Sequence, residues 1–368
     1  MAHGLNRGIA LETKTLQEDI FRKRITLLKF ILSILVVCIH ARNISEYAVL
    51  GETTLGKGIA FFENIFSANI GAFAVPGFFL ISGFLLYRNW ERNCLKKLKS
   101  RFFSICIPYL VWNILYFLFF FVVSKLPYIG EAINTKPESI TFSYALEVIF
   151  LHKMASHMWY MENLIIYVAV SPILYYILKH KIAGIIFLIA LLVGAPYISI
   201  VTPGLGDGAL FLFCIGGFLA LHCEEIIVNG AIASFWVNIL LFACAFGMYY
   251  IPIENIYYSI VRTLLGGVAL YGLICNIPEG KVKIFDFMKQ TFFIYAMHIM
   301  VLDSIQKVIK IFLPDIEIIA LLNYLAAIVL TVVIILGVAA FLRRFLSPIH
   351  MLLCGGWKRR RKDENSSN

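Results

Sequence analysis

Apolar residues in this chain do not alternate with polar ones in the manner of a half-buried strand, nor form the stripe of a soluble amphipathic helix. They run on in long blocks, cut by short clusters of lysine, arginine, glycine and proline. A block must reach roughly 17 to 25 residues to cross a bilayer as a helix. Blocks of that kind fall at about 25–44, 67–87, 102–124, 158–178, 182–200, 208–222, 231–251, 258–277, 287–307 and 317–342. The pattern predicts an all-α fold, a polytopic integral membrane helical bundle of about ten transmembrane helices. The basic residues between the blocks set its orientation. Arg22, Lys23 and Arg24 precede the first block, Arg88 to Arg101 separate the second from the third, and Lys179 with Lys181, Lys281 with Lys289, and Arg343 with Arg344 continue the alternation. All of these fall on one side, so both termini are expected to be cytoplasmic.

Composition strengthens that reading. Hydrophobic residues are 60% of 368, charged residues only 15%, and the mean hydropathy is +0.84, a balance that no water-soluble core of this length needs. The expected organisation is a cytoplasmic N-terminal tail over 1–24, a membrane domain over 25–345 and a basic cytoplasmic tail over 346–368. The N-terminal stretch ends in a basic cluster with no small-residue cleavage site after it, so it reads as a retained tail and not a cleaved signal. The closing KRRRK run reads as a solvated end and not a nucleic-acid surface. The eight cysteines are scattered, without a CxxC pair, and read as small buried hydrophobes and not metal ligands or disulfides.

Polar groups inside apolar blocks are where chemistry is to be sought, because an unpaired one costs a few kcal/mol or more in hydrocarbon. Lys29 lies near the cytoplasmic end of the first block. His40 follows eleven residues on, about three turns or roughly 16 Å along a helix. The two share nearly one face, one in each half of the membrane. From the residues alone, His40 is either a proton-transfer group or a structural hydrogen-bonding residue at a helix end. The fourth block opens with His157, Trp159, Tyr160, Glu162 and Asn163. An interfacial aromatic belt accounts for the two aromatics but not for Glu162, which needs a partner or water. The ninth block carries His298 near its middle, open to a packed, satisfied role, and Asp303 further out. Ser82 in VPGFFLISGFLLY and Pro108 in SRFFSICIPYLVWN mark places of close approach or loosened backbone.

Taken in order, LLKFILSILVVCIHA, VPGFFLISGFLLY, KSRFFSICIPYLVWN, HMWYMENLIIYVAVSPIL, FFIYAMHIM and LRRFLSP resemble the membrane acyltransferase 3 family, from about Arg22 to Gly355. These are integral membrane O-acyltransferases that modify bacterial surface glycans and similar acceptors. The resemblance implies a catalytic His40. At the position of the family's arginine, this chain has Lys29, which keeps the charge but loses the planar fork that grips phosphate. His157 and Glu162 join His40 as candidate catalytic groups, and Lys29, Arg101, Ser82 and Arg343 are candidates for contacting the donor.

The resemblance further implies a cytoplasmic acyl-coenzyme A donor, with acetyl as the default, as co-substrate, and neither a permanently bound cofactor nor a metal. It implies a glycan or glycolipid acceptor beyond the membrane and residence in a bacterial plasma membrane. Any extracytoplasmic partner that completes transfer would be a separate chain. Direct transfer and a covalent acyl-enzyme on His40 or Ser82 both remain open. The rival from another class is a transporter or flippase of lipid-linked saccharides, disfavoured because the two halves show no paired Gly/Pro breaks.

Overall fold

The computed structural model describes residues 2–91, 94–127, 137, 141–151, 153–201, 208–230 and 232–355, of which 2–14 and 198–201 as backbone alone. The described residues are helices and their connections, with no strand. The principal helices are α1 (Ala2–Ala41), α2 (Thr54–Asn64), α3 (Ala74–Tyr87), α4 (Cys94–Val123), α5 (Phe142–Phe150), α6 (Trp159–Leu178) and α7 (Lys181–Val201). After them come α8 (Ala209–His222), α9 (Phe235–Met248), α10 (Ile256–Cys275), α11 (Thr291–Phe312), α12 (Glu317–Phe345) and α13 (Ser347–Cys354).

Each of the ten expected blocks falls on one of these helices. Among the described residues, seven helical stretches are long and apolar enough to cross a bilayer, while α8 and α9 are shorter, at 14 residues each. At 1.5 Å per residue, a 14-residue helix such as α8 covers only about 21 Å of a core near 30 Å thick. Two stretches outside the blocks carry helix of their own. The stretch before the second block, expected as a loop, is helical over Val49–Glu52 and again through α2, and a π turn at Ile65–Ile70 leads on towards α3. The segment expected as an N-terminal tail is helical from Ala2, continuous with the first block. The C-terminal basic run lies outside the described residues. Exposed apolar side chains form stripes at helical spacing, Ile182, Ile186, Ile189 and Val193 on α7 and Ile318, Leu322, Leu325, Val329 and Val333 on α12. Water would oppose such continuous apolar faces; lipid accepts them.

The chain divides into two compact units. The first comprises Met1–Leu35, Ala68–Trp90 and Pro172–Thr291. Its tightest pairing is α3 against α8, where backbones approach because glycine faces backbone. A Cβ at Gly83 would lie 2.0 Å from the Phe213 carbonyl oxygen, and one at Gly216 would lie 2.1 Å from that of Leu80. At one end of this unit Arg88 pairs with Glu18 and with Glu224, each at 2.6 Å. Apolar residues of α1, α3, α8 and α10 also line a cavity of about 290 Å³ here.

The second unit comprises Val36–Ser67, Glu91–Ser171 and Phe292–Asn368. Pro108 inside α4 leaves the Ser104 carbonyl without its usual N–H donor. Gly355, at φ +69° after α13, comes up to that oxygen so closely that a Cβ would stand 2.1 Å from it. Trp112 on α4 donates to the Leu353 carbonyl at 3.1 Å, and Tyr109 donates to that of Phe150 at 2.8 Å. Buried aromatic groups on α4 thus satisfy helix-end carbonyls that have no intrahelical donor.

Candidate active site

His40 stands in the last turn of α1, and the second unit holds that helix end from several directions. The final carbonyls of a helix lack intrahelical donors, and here side chains supply them. Ser67 donates to the Cys38 carbonyl at 2.6 Å and also meets the Tyr324 hydroxyl at 3.0 Å. Gln306 on α11 donates through Nε2 to the Ala41 carbonyl at 2.6 Å. The following loop is equally tied down. The Asn43 backbone N–H donates to Glu63 Oε2 at 3.2 Å, and its amide donates to the Ala320 carbonyl at 3.0 Å. Glu46 receives Lys307 at 3.3 Å and Lys310 at 3.1 Å. Burial pushes the Glu46 carboxyl up, but these two ammonium groups outweigh it and hold the group below its ordinary value.

The His40 side chain is exposed, and it opens onto a cavity of about 170 Å³ whose walls carry Arg42, Ser45, Glu46, Asp303, Lys307 and Lys310. Donors and acceptors of both charge signs converge there. Behind His40 lies a row of imidazoles. The ring of His298, fully buried in α11, is 5.0 Å from that of His40, and the His157 ring is 4.9 Å from that of His298. Tyr116 and Tyr295 flank His157 at 5.1 and 5.6 Å.

Hydrogen bonds fix much of this row. His298 Nδ1 lies 2.6 Å from the Tyr295 carbonyl oxygen, and His157 Nε2 lies 3.3 Å from that of Ala296. A carbonyl only accepts, so both nitrogens carry protons. Tyr116 donates to the Ala296 carbonyl at 3.1 Å and receives the Met300 N–H at 3.3 Å, while Tyr295 donates to the His157 carbonyl at 2.7 Å. Among the described residues no three His, Cys, Asp or Glu side chains converge as metal ligands.

Of the residues singled out from the sequence, the structure brings together His40 and His157, with His298 between them. Glu162 is half-buried on α6, five residues beyond His157. Arg101 on α4 and Arg343 on α12 are exposed and do not line the cavity. Lys29 and Ser82 belong to the first unit, both half-buried, and the Lys29 carbonyl accepts the Ser33 hydroxyl at 2.9 Å. Sequence reasoning passed over Arg42, Glu46 and Tyr116. The first two are ordinary loop charges by pattern, and nothing distinguishes Tyr116 among 18 tyrosines. Asp303 had a signal as a carboxylate inside an apolar block.

A family model described as an acyltransferase domain matches residues 22–341. No curated protein and no solved structure matches the chain. The match spans both compact units, from the basic cluster before the first apolar block almost to the end of α12, and so takes in His40, His157 and His298 alike. With an all-helical fold rich in lipid-length apolar helices, the chain belongs to the membrane acyltransferase 3 family.

Proposed function

We propose that the protein is an O-acyltransferase of the bacterial plasma membrane, moving a short acyl group, acetyl by default, from cytoplasmic acyl-coenzyme A to a hydroxyl of a cell-surface glycan or glycolipid. The observation that carries this reading is the exposure of His40 on a polar cavity with charges of both signs. Such a wall suits a polyhydroxylated group, which both donates and accepts hydrogen bonds, better than an apolar one.

In the proposed reaction the acceptor oxygen attacks the thioester carbonyl carbon while its proton passes to the lone-pair nitrogen of His40. The tetrahedral intermediate collapses, the C–S bond breaks, and the His40 proton goes to the departing thiolate. Products are the acyl ester and free coenzyme A, with His40 returned to its neutral form. Arg42 and the lysines of the cavity wall supply positive potential near the developing oxyanion. Lys29, Arg101 and Arg343 are the groups proposed to meet the donor's phosphates, through charge; Glu162 and His157 are proposed to act with His40. Transfer is direct, since one base serves both proton steps and no covalent way station is required.

The test is transfer of label from radiolabelled acetyl-coenzyme A to cell-envelope glycan by membranes carrying the intact protein or His40→Ala at matched expression. The expected result is label in glycan with the intact protein and a loss of roughly 10²- to 10⁴-fold in the variant, the usual worth of a positioned base. Equal labelling by the two would remove His40 from the mechanism. Movement of a labelled glycolipid across liposomes by the purified protein, with no acyl donor present, would establish the flippase instead.

A further inference from the structure

We propose that His298 is the positioning residue for His40, the buried acceptor that turns one N–H of the His40 ring inward and so presents the ring's lone pair to the cavity. The inference rests on the acyl-transfer reading above. His298 is 0% exposed. Its Nδ1–H donates to the Tyr295 carbonyl at 2.6 Å, which in a neutral imidazole leaves Nε2 as a lone pair needing a donor. That Nε2 is buried, and among the described residues it has no hydrogen-bond partner. A buried acceptor without a donor is uncommon and calls for a partner, and the geometry of the neighbouring rings says which group can supply one.

Two imidazoles touch it. His157 already spends its Nε2–H on the Ala296 carbonyl, and a neutral ring has only one such proton to give. His40, with its ring centroid 5.0 Å away, is the neighbouring ring with an N–H to offer. A centroid spacing of about 5 Å is what one N–H···N bond of about 2.9 Å and two ring radii require. The rings lie tilted at 49° in contact without yet sharing that bond. His40 is the exposed ring and has room to turn, and hydrogen bonds of a working base commonly tighten only when substrate arrives.

The consequence is a base with a defined tautomer. One nitrogen of His40 donates to His298 and the other faces the cavity as proton acceptor. When His40 takes the acceptor's proton, its inner N–H becomes a charge-assisted donor to His298 Nε2, which steadies the imidazolium until the proton leaves to the thiolate. His298 itself gains and loses nothing.

The experiment compares intact protein, His40→Ala, His298→Phe and His298→Gln in the radiolabelled acetyl-coenzyme A assay, with melting in detergent followed for each. Phenylalanine keeps the ring's shape and removes the acceptor, whereas the glutamine amide oxygen restores one. The expected result is a kcat about 10- to 100-fold lower for His298→Phe, the range for groups that orient a working histidine, with KM for acetyl-coenzyme A unchanged and partial recovery in His298→Gln. Should phenylalanine unfold the site, His298→Asn, polar but too short to reach His40, takes its place. Full kcat in His298→Phe overturns the inference. Equal impairment of the glutamine and phenylalanine variants, with KM raised, also overturns it, as the mark of packing alone. The underlying reading fails separately, if the intact protein transfers no label or His40→Ala transfers it undiminished.

Discussion

Arg24 and Lys29 lie five residues apart on α1, and the fold uses their charges differently. Arg24 is 5% exposed, and its guanidinium donates to the Asn229 carbonyl at 3.2 Å and to that of Cys275 at 3.0 Å. Both carbonyls end helices, Glu224–Asn229 and α10, so one side chain meets the negative ends of two helix dipoles. Arg24→Leu is therefore expected to destabilise the protein by roughly 1.5–3 kcal/mol for each lost charged hydrogen bond, read as a lower melting temperature in detergent. Arg24→Lys recovers little, because an ammonium lacks the two-pronged reach. Lys29 is half-buried and proposed to meet the donor. Lys29→Ala is expected to raise KM for acetyl-coenzyme A with kcat little changed, and Lys29→Arg to keep KM low. A fall in kcat alone would place Lys29 in the chemistry instead.

Elements pack where side chains are missing. α3 and α8 come together at Gly83 and Gly216, where an added Cβ would sit about 2 Å from a facing carbonyl oxygen, far inside any real contact. Gly83→Ala and Gly216→Ala should each push the pair apart and lower the melting temperature, while Gly337→Ala on α12, with nothing within 4 Å of the added carbon, should be neutral or slightly stabilising. Equal melting of all the variants would show that the α3–α8 approach is looser than described. The loop after α1 carries a pH dependence. The folded value of Glu46 is lowered from 4.5 by Lys310 and Lys307 against the effect of burial. A lowered carboxylate contributes stability above its unfolded value and loses it as pH falls through the folded one. Protection factors of the amides over residues 43–48, taken against the intrinsic exchange rate at each pH, should thus be high at neutral pH and fall below about pH 4.5, whereas Glu46→Gln should show low protection throughout. A pH-independent loop would exclude the Glu46 pairs as its anchor.

At the scale of the molecule, the basic clusters along the chain are expected to set one sidedness. Ser45, after α1, and His180, between α6 and α7, are expected on opposite faces of the membrane. Cysteine placed at Ser45 should react with a membrane-impermeant maleimide from outside intact cells, and cysteine at His180 only after the cells are opened. The reverse pattern would invert the topology and remove the cytoplasmic entry proposed for the donor.

The sequence by itself determined that this is a membrane protein of apolar helices, because hydrocarbon tolerates only backbones that satisfy their own hydrogen bonds, and uninterrupted apolar runs are the direct trace of that demand. It also determined the family, through the order of short apolar strings that individually say little, and it marked His40, His157 and His298 as groups foreign to their surroundings. Tertiary structure alone decided that these three histidines from three helices form one row, since pattern along a chain carries no information on which faces of distant helices meet. It alone showed that Arg42 and Glu46, plain loop charges by sequence, line the cavity in front of His40, and that Ser67 and Gln306 hold the helix end that carries it. It also decided that α8 and α9 run for only 14 residues each. Hydropathy reports how apolar a segment is, whereas the length of regular helix depends on the turns and packing at its ends.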